Sequence, residues 1–228
     1  MQNSFPTRHF LQYCIECIRC FGFTKKSEDG YSTADRAADI LADHLHSENP
    51  ECAARWHEIR ENYEFIPNAS AVRQEAKAIL DWVKSLESER ISEFMYKCQN
   101  IASQPSVTEK DFGFIAYLPV AYRREMDRRA QREAEIEENR QNSPSNYIGK
   151  VGDKLIVEVT SAECVFSGES IFGASFIYKF QDKAQNVIIW KTSKPLELDE
   201  IKTLRGTVKE QKEYKGIKQT VLTHCKVG

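Results

Sequence analysis

The stretch GTVKEQKEYKGIKQTVLTHCKVG (206–228) sets lysines every few positions around a single tyrosine and a Lys-Gly step. Ammonium groups beside an aromatic ring can hold a phosphate and stack a base, the two contacts used by sites for single-stranded nucleic acid. From position 201 onward seven Lys/Arg face only Glu210 and Glu213, although the whole chain carries a formal net charge of -2. Lysines on an exposed strand also keep it from pairing with a neighbour, so edge protection is the competing explanation. A second chemistry is suggested by Cys14, Cys17 and Cys20, a C-x2-C-x2-C run that could begin a metal site. Zinc needs four ligands. His9, His44, His46 or Cys52 would have to supply the rest, and the alternative is a helix using its thiols as small apolar groups. His57-Glu58 does not begin H-E-x-x-H, because position 61 is Glu. With no glycine-rich phosphate loop, nucleophile elbow or metal-grade acidic cluster in the sequence, the expectation is a protein that is not an enzyme and uses no metal or cofactor.

The elements that would position these groups fall into two kinds. In the first half the apolar residues recur at helical spacing. Ser32 with Asp35 opens one helix, Pro50 can start the next, and Asn68 or Ser70 can cap a third that carries Val72, Ala76, Ile79, Leu80 and Val83. ISEFMYKCQNIA follows, then a segment capped by Thr108 and Asp111 that Pro119 should break or kink. Between Arg123 and Arg140 six arginines meet six acids, which reads as a solvated helix running into the polar linker 141–146.

After the linker the pattern turns to alternation. KLIVEVTSAECV, GASFIYKF, NVIIWKTS, LRGTVKEQKEY and GIKQTVLTHCKV give five strands. On the second, Ala174, Phe176, Tyr178 and Phe180 share one face and Ser175, Ile177 and Lys179 the other. On the last, a strict period of two groups Ile217, Val221, Cys225 and Val227 toward a core, with Gln219 and Thr223 between them, and Lys218, Thr220, Leu222, His224 and Lys226 outward. The fold expected is α+β, an N-terminal helical region followed by a C-terminal five-stranded OB-like β-barrel. Its expected divisions are a cysteine-containing segment (1–29), a helical domain (30–121), a charged helix and linker (122–146) and the barrel (147–228).

The hydrophobic fraction of 41% is enough for real cores. No apolar run reaches the length of a membrane span. The opening MQNSFPTRHFLQYCIECIRCFGF is broken by charges and cysteines, so a secretory signal is not expected, and seven scattered cysteines suit a reducing cytoplasm.

The strand into a glycine-containing loop, the aromatic second strand, the Trp-bearing third strand and the GTVK…EYKGIKQT hairpin together resemble the OB-fold single-stranded-DNA-binding-like proteins of bacteriophages and mobile genetic elements. The resemblance covers about Tyr147 to Val227. It implies a ligand path along the loop Val165–Gly173, the strands around Tyr178 and Trp190–Lys191, and the loop Lys212–Gly216. The expected binding residues are Phe172, Tyr178, Trp190, Lys191, Lys209, Lys212, Tyr214, Lys215 and Lys218, with Phe166 a further aromatic in the first loop. Glu163, Glu169 and Asp182 depart from the pattern by placing negative charge in or near that path. The function expected is binding of single-stranded DNA, or RNA, with low sequence specificity, as an accessory of replication or recombination. The helical region could hold an oligomer or a replication-protein partner. The alternative is a protein–protein interaction module built on the same barrel with a helical oligomerisation region.

Overall fold

A computed structural model of the chain describes residues 4–26, 30–171 and 173–228. The chain divides into two compact units, 1–128 and 129–228. The division falls within the segment read from sequence as charged helix and linker.

The first unit is helical. Its elements are β1 (Ser4–Pro6), α1 (Thr7–Phe21), α2 (Thr33–Leu45), α3 (Pro50–Tyr63), α4 (Ser70–Ser85), α5 (Glu93–Ala102), β2 (Ser106–Thr108) and the start of α6 (Phe112–Asn142). Ser32 and Asp35 form the capping box expected for α2, Thr108 and Asp111 form another, and Pro50 opens α3. The N-cap of α4 is Ala69, with no side-chain cap, rather than Asn68 or Ser70. Nor does Pro119 end its helix: α6 runs through it, with Ile115, Leu118 and Pro119 buried. Packing of that turn outweighs the one hydrogen bond a proline cannot donate.

α1 is a central element, carrying Phe10, Leu11, Cys14 and Cys17 at 0% exposure in the unit's core. Cys14 and Cys17 therefore serve as core residues, and burial pushes both thiols far above the ordinary thiol range. Among the described residues no group of three metal-type side chains gathers around them. The same helix buries a charge. Glu16 is 1% exposed and accepts from Arg19 Nε at 3.0 Å and from the Ile66 backbone N–H at 2.9 Å, while Arg19 also donates to the Glu64 carbonyl. This ties α1 to the turn after α3. Nearby, His44 stacks on Trp56 with centroids 4.2 Å apart and its Nδ1 faces the Tyr13 hydroxyl. Among the described residues no helix is long and apolar enough to cross a membrane.

The second unit begins with the last turns of α6 and continues as a mixed sheet of six strands: β3 (Lys154–Glu158), β4 (Ser161–Ser170), β5 (Gly173–Gln181), β6 (Val187–Thr192), β7 (Thr203–Tyr214) and β8 (Ile217–Val227). Their order is β3-β7-β8-β6-β5-β4, antiparallel except for the parallel pair β6–β8. The expected count was five strands. The difference arises because the first of them is interrupted at Val159–Thr160, where Val159 donates to the Lys202 carbonyl and Thr160 to that of Gln181. The two pieces take partners at opposite ends of the sheet and are not paired with each other, so the described strands form a curled sheet and no closed hydrogen-bonded barrel. β3 and β5 stand four places apart in that order, yet Val157, Phe180, Ile188, Leu204, Val208 and Leu222 share one core. A smaller cluster of Val187, Ile189 and Val221, with Ile177 and Ile217 against it, is separate.

Two tests address the helical unit. Arg19→Met leaves the Glu16 carboxylate buried without its cation and should cost about 3 kcal/mol in urea unfolding followed by circular dichroism. Adding Glu16→Gln should recover part of that loss. Burial, with the positive charges of Arg60 and His9, holds the His44 pKa below its ordinary value of 6.5. The unfolded chain therefore binds this proton first as pH falls, so the contribution is complete above about 6.5 and declines below it. His44→Gln should lose less stability than the parent chain between pH 7.5 and 5.5.

Candidate nucleic-acid interface

In a strand only alternate side chains share a face, and the core of the second unit claims one set. On β5 that set is Phe176, Tyr178 and Phe180, as the alternation indicated, which leaves Ile177 and Lys179 on the other face. Cross-strand partners project to the same side. Ile177 pairs with Lys191, Lys179 with Ile189, Lys212 with Gln219 and Tyr214 with Ile217. These residues line a groove of about 530 Å³ on the face away from that core.

Three irregularities decide who enters it. Between Cys164 and Phe166 the β4 register shifts, so Glu163 pairs with Lys179 and Phe166 with Ile177. Val165 is the extra residue, and it turns Phe166 into the groove. On β7 Val208 pairs with Leu222 and Glu210 with Val221, which leaves Lys209 as the extra residue. Without that bulge Lys212 and Tyr214 would share the buried face of Val208. On β8 the shift falls at His224, whose φ is +52°, and it returns Cys225 to the core side with Leu222. The period-two reading of β8 is thereby corrected: Leu222 and Cys225 join the core, and Ile217, Gln219 and Val221 lie on the opposite side.

The hairpin tip is a two-residue turn with φ of +50° at Lys215 and +80° at Gly216, the pattern of a type I′ turn. The end of α6 lies against it. Asn139 Nδ2 donates to the Lys215 carbonyl at 2.9 Å and Arg140 Nε to Glu213 Oε1 at 2.8 Å. A Cβ on Gly216 would stand 2.1 Å from the Ile136 carbonyl oxygen. Glu135 and Asn139 then form a wall of the groove, a role that the balanced charges of this helix gave no hint of.

Of the expected site residues, Lys191, Lys212, Tyr214 and Lys215 meet in this groove. Among the described residues the three lysines have no ion-pair partner, and Tyr214 is 58% exposed. Lys209 is exposed at its bulge and outside the groove. Lys218 reaches Asn146 Oδ1 at 3.3 Å and stands 5.9 Å over the Tyr147 ring, also outside it. Tyr178, at 3% exposure, belongs to the core and accepts from Leu196 N–H at 2.9 Å, and Trp190 is half-buried against that core. Neither ring is a platform on the groove. Phe172 lies outside the described residues. The stacking surfaces available are Tyr214 and Phe166, the latter 51% exposed.

Four lysines and two glutamates line the groove, so its field is positive despite the chain's net charge. Of the acids that departed from the expected pattern, Glu163 is paired with Lys179 at 2.7 Å. Asp182 is occupied by the turn before β6, accepting from the backbone of Ala184 and Asn186. Glu169 is exposed near the end of β4. Burial pushes the Cys225 thiol up to about 12, so it is no nucleophile at neutral pH. The arrangement offers cations, two aromatic faces and an aliphatic floor.

Gly216→Ala should lower the stability of the second unit by at least about 2 kcal/mol, because both its backbone conformation and its space are forbidden to a side chain. Gly152→Ala is the control: its φ is +96° but nothing lies within 4 Å of the added Cβ. A smaller shift in its thermal midpoint is expected.

Comparison of this chain with family models, with curated proteins and with solved structures finds no match.

Proposed function

We propose that the second unit binds single-stranded nucleic acid, DNA in the first place and RNA as the alternative, by running the phosphate backbone past Lys191, Lys212 and Lys215. The observation that carries this reading is the meeting of those unpaired lysines with Tyr214 and Phe166 around one aliphatic-floored groove. A bound single strand uses both components: ammonium groups that replace counterions, and ring faces that replace the stacking lost from neighbouring bases. Most of the contact is to backbone and to base faces, so sequence specificity is low. The curled sheet is consistent with an OB-like platform, since β3 and β4 count as one strand interrupted at two residues and the total becomes five. The proposed role is that of an accessory to replication or recombination in a reducing cytoplasm, with the helical unit available for self-association or a protein partner.

The test is fluorescence-anisotropy titration of a labelled 30-nucleotide mixed-sequence DNA at several salt concentrations. Binding should weaken as salt rises, and Lys212→Ala with Lys215→Ala should reduce the slope of log affinity against log salt by about 1.4. Tyr214→Ala should weaken binding by about 1–3 kcal/mol with the slope unchanged. No binding at low salt would overturn the proposal and leave the protein-interaction module as the reading to pursue.

A further inference from the structure

Beyond the groove, the same outer face carries a second group of cations that the fold does not explain. Arg205 of β7 pairs with Lys226 of β8 on one side and with Ile156 of β3 on the other, and Lys154 stands one row along, opposite Thr207. Cross-strand partners project to the same side, and Leu204, next to Arg205, is fully buried, so this row faces away from the core. Like charges placed directly opposite each other destabilise a strand pair. No carboxylate relieves this one. Among the described residues Arg205, Lys226 and Lys154 make no ion pair, and Glu158, in the row beyond Ile156, is taken by Lys183 at 2.5 Å. Edge protection does not account for Arg205 either, because β7 has a partner strand on both sides of it.

We infer that the bound single strand leaves the groove at Lys212 and continues along the outer face of β7 to Arg205, Lys226 and Lys154, which hold the phosphates of its further nucleotides. The inference rests on the single-strand reading above. Groove and patch lie on one face of the same two strands, and the seven steps of β7 from Arg205 to Lys212 span about 20 Å. Lys209 bridges them: it follows the core-facing Val208 and is exposed at its bulge. Glu210, paired with Val221, is the acid on this path, and it stands between Lys209 and Lys212. Ile156, 67% exposed in the middle of the patch, offers an aliphatic contact but no ring. This part of the path therefore supplies charge without stacking, and a longer strand gains from it what a short one does not.

The experiment compares, on the full chain at several salt concentrations, a labelled 30-nucleotide DNA with one of about 4 nucleotides, near the smallest site such a platform holds. Arg205→Ala with Lys226→Ala should reduce the slope of log affinity against log salt by about 1.4 for the long oligonucleotide and leave affinity for the short one within about twofold. Lys212→Ala with Lys215→Ala should weaken both. Lys84→Ala with Lys110→Ala, which removes two exposed charges of the helical unit, should change neither. The patch variant relieves a repulsion, so its thermal midpoint should be no lower than the parent's. If it is lower, Lys226→Gln replaces it, with an expected slope change of about 0.7. An unchanged slope for the long oligonucleotide, equal losses at both lengths, or a loss matched by the helical-unit control overturns the inference while leaving single-strand binding intact. No binding at either length in low salt removes the single-strand reading and this inference together.

Discussion

A β-strand can give its core only every second side chain, and the second unit is organised by where that alternation is interrupted. If β4, β7 and β8 ran without bulges, Phe166 would fall on the face of Cys164, Lys212 and Tyr214 on that of Val208, and Cys225 on that of Val221. A lysine buried with Phe180 and Leu222 would be unpaired in an apolar core, a state that folded proteins avoid. One extra residue at Val165, at Lys209 and at His224 reverses the parity each time. The same insertions that keep charge out of the core collect the cations and rings on the opposite face.

That face balances attraction against neutralisation. Lys179 and Glu163 are 2.7 Å apart and largely cancel, so the field over the groove comes from Lys191, Lys212 and Lys215. These stand on β6 and at the hairpin tip, so the attraction is concentrated toward one side while the glutamates occupy the others. The apolar floor of Ile177, Ile189 and Ile217 suits flat bases better than solvated phosphates.

Much of this was legible in the sequence where local rules suffice. The helices of the first unit, both capping boxes, the aromatic face of β5 and the Lys-Gly turn follow from spacing and residue type. The bulges were not legible, because an inserted residue leaves no compositional mark when its neighbours are as ordinary as Cys-Val-Phe or Val-Lys-Glu. Period-two counting therefore could not place Phe166, a candidate only as a loop aromatic, on the groove face, and it misassigned the faces of β8. The roles of Tyr178 and Trp190 were misjudged for another reason. A tyrosine can satisfy its hydroxyl inside a core, here against Leu196 N–H, so aromatic polarity alone does not place a ring at the surface. The central position of α1 was hidden by the charges and thiols that interrupt it, since nothing local reveals that Glu16 has an arginine and a backbone N–H waiting for it.

The end of α6 is where balanced charge most obscured a structural role. Its alternating arginines and glutamates look solvated, and most of them are exposed, but Asn139 and Arg140 bind the hairpin and Gly216 permits backbone-to-backbone approach at Ile136. A free two-residue hairpin would sample many orientations of Tyr214 and Lys215, and ordering it would reduce any affinity gained. Contacts to the Lys215 carbonyl and to Glu213 fix the backbone on either side of that ring while leaving the ring and the Lys212 and Lys215 side chains free for a ligand. The helix therefore contributes through preorganisation more than through its own charges. This explains how a wall bearing Glu135 can belong to a groove whose field is positive: the helix shapes the hairpin, and its acid lies beside the aliphatic floor.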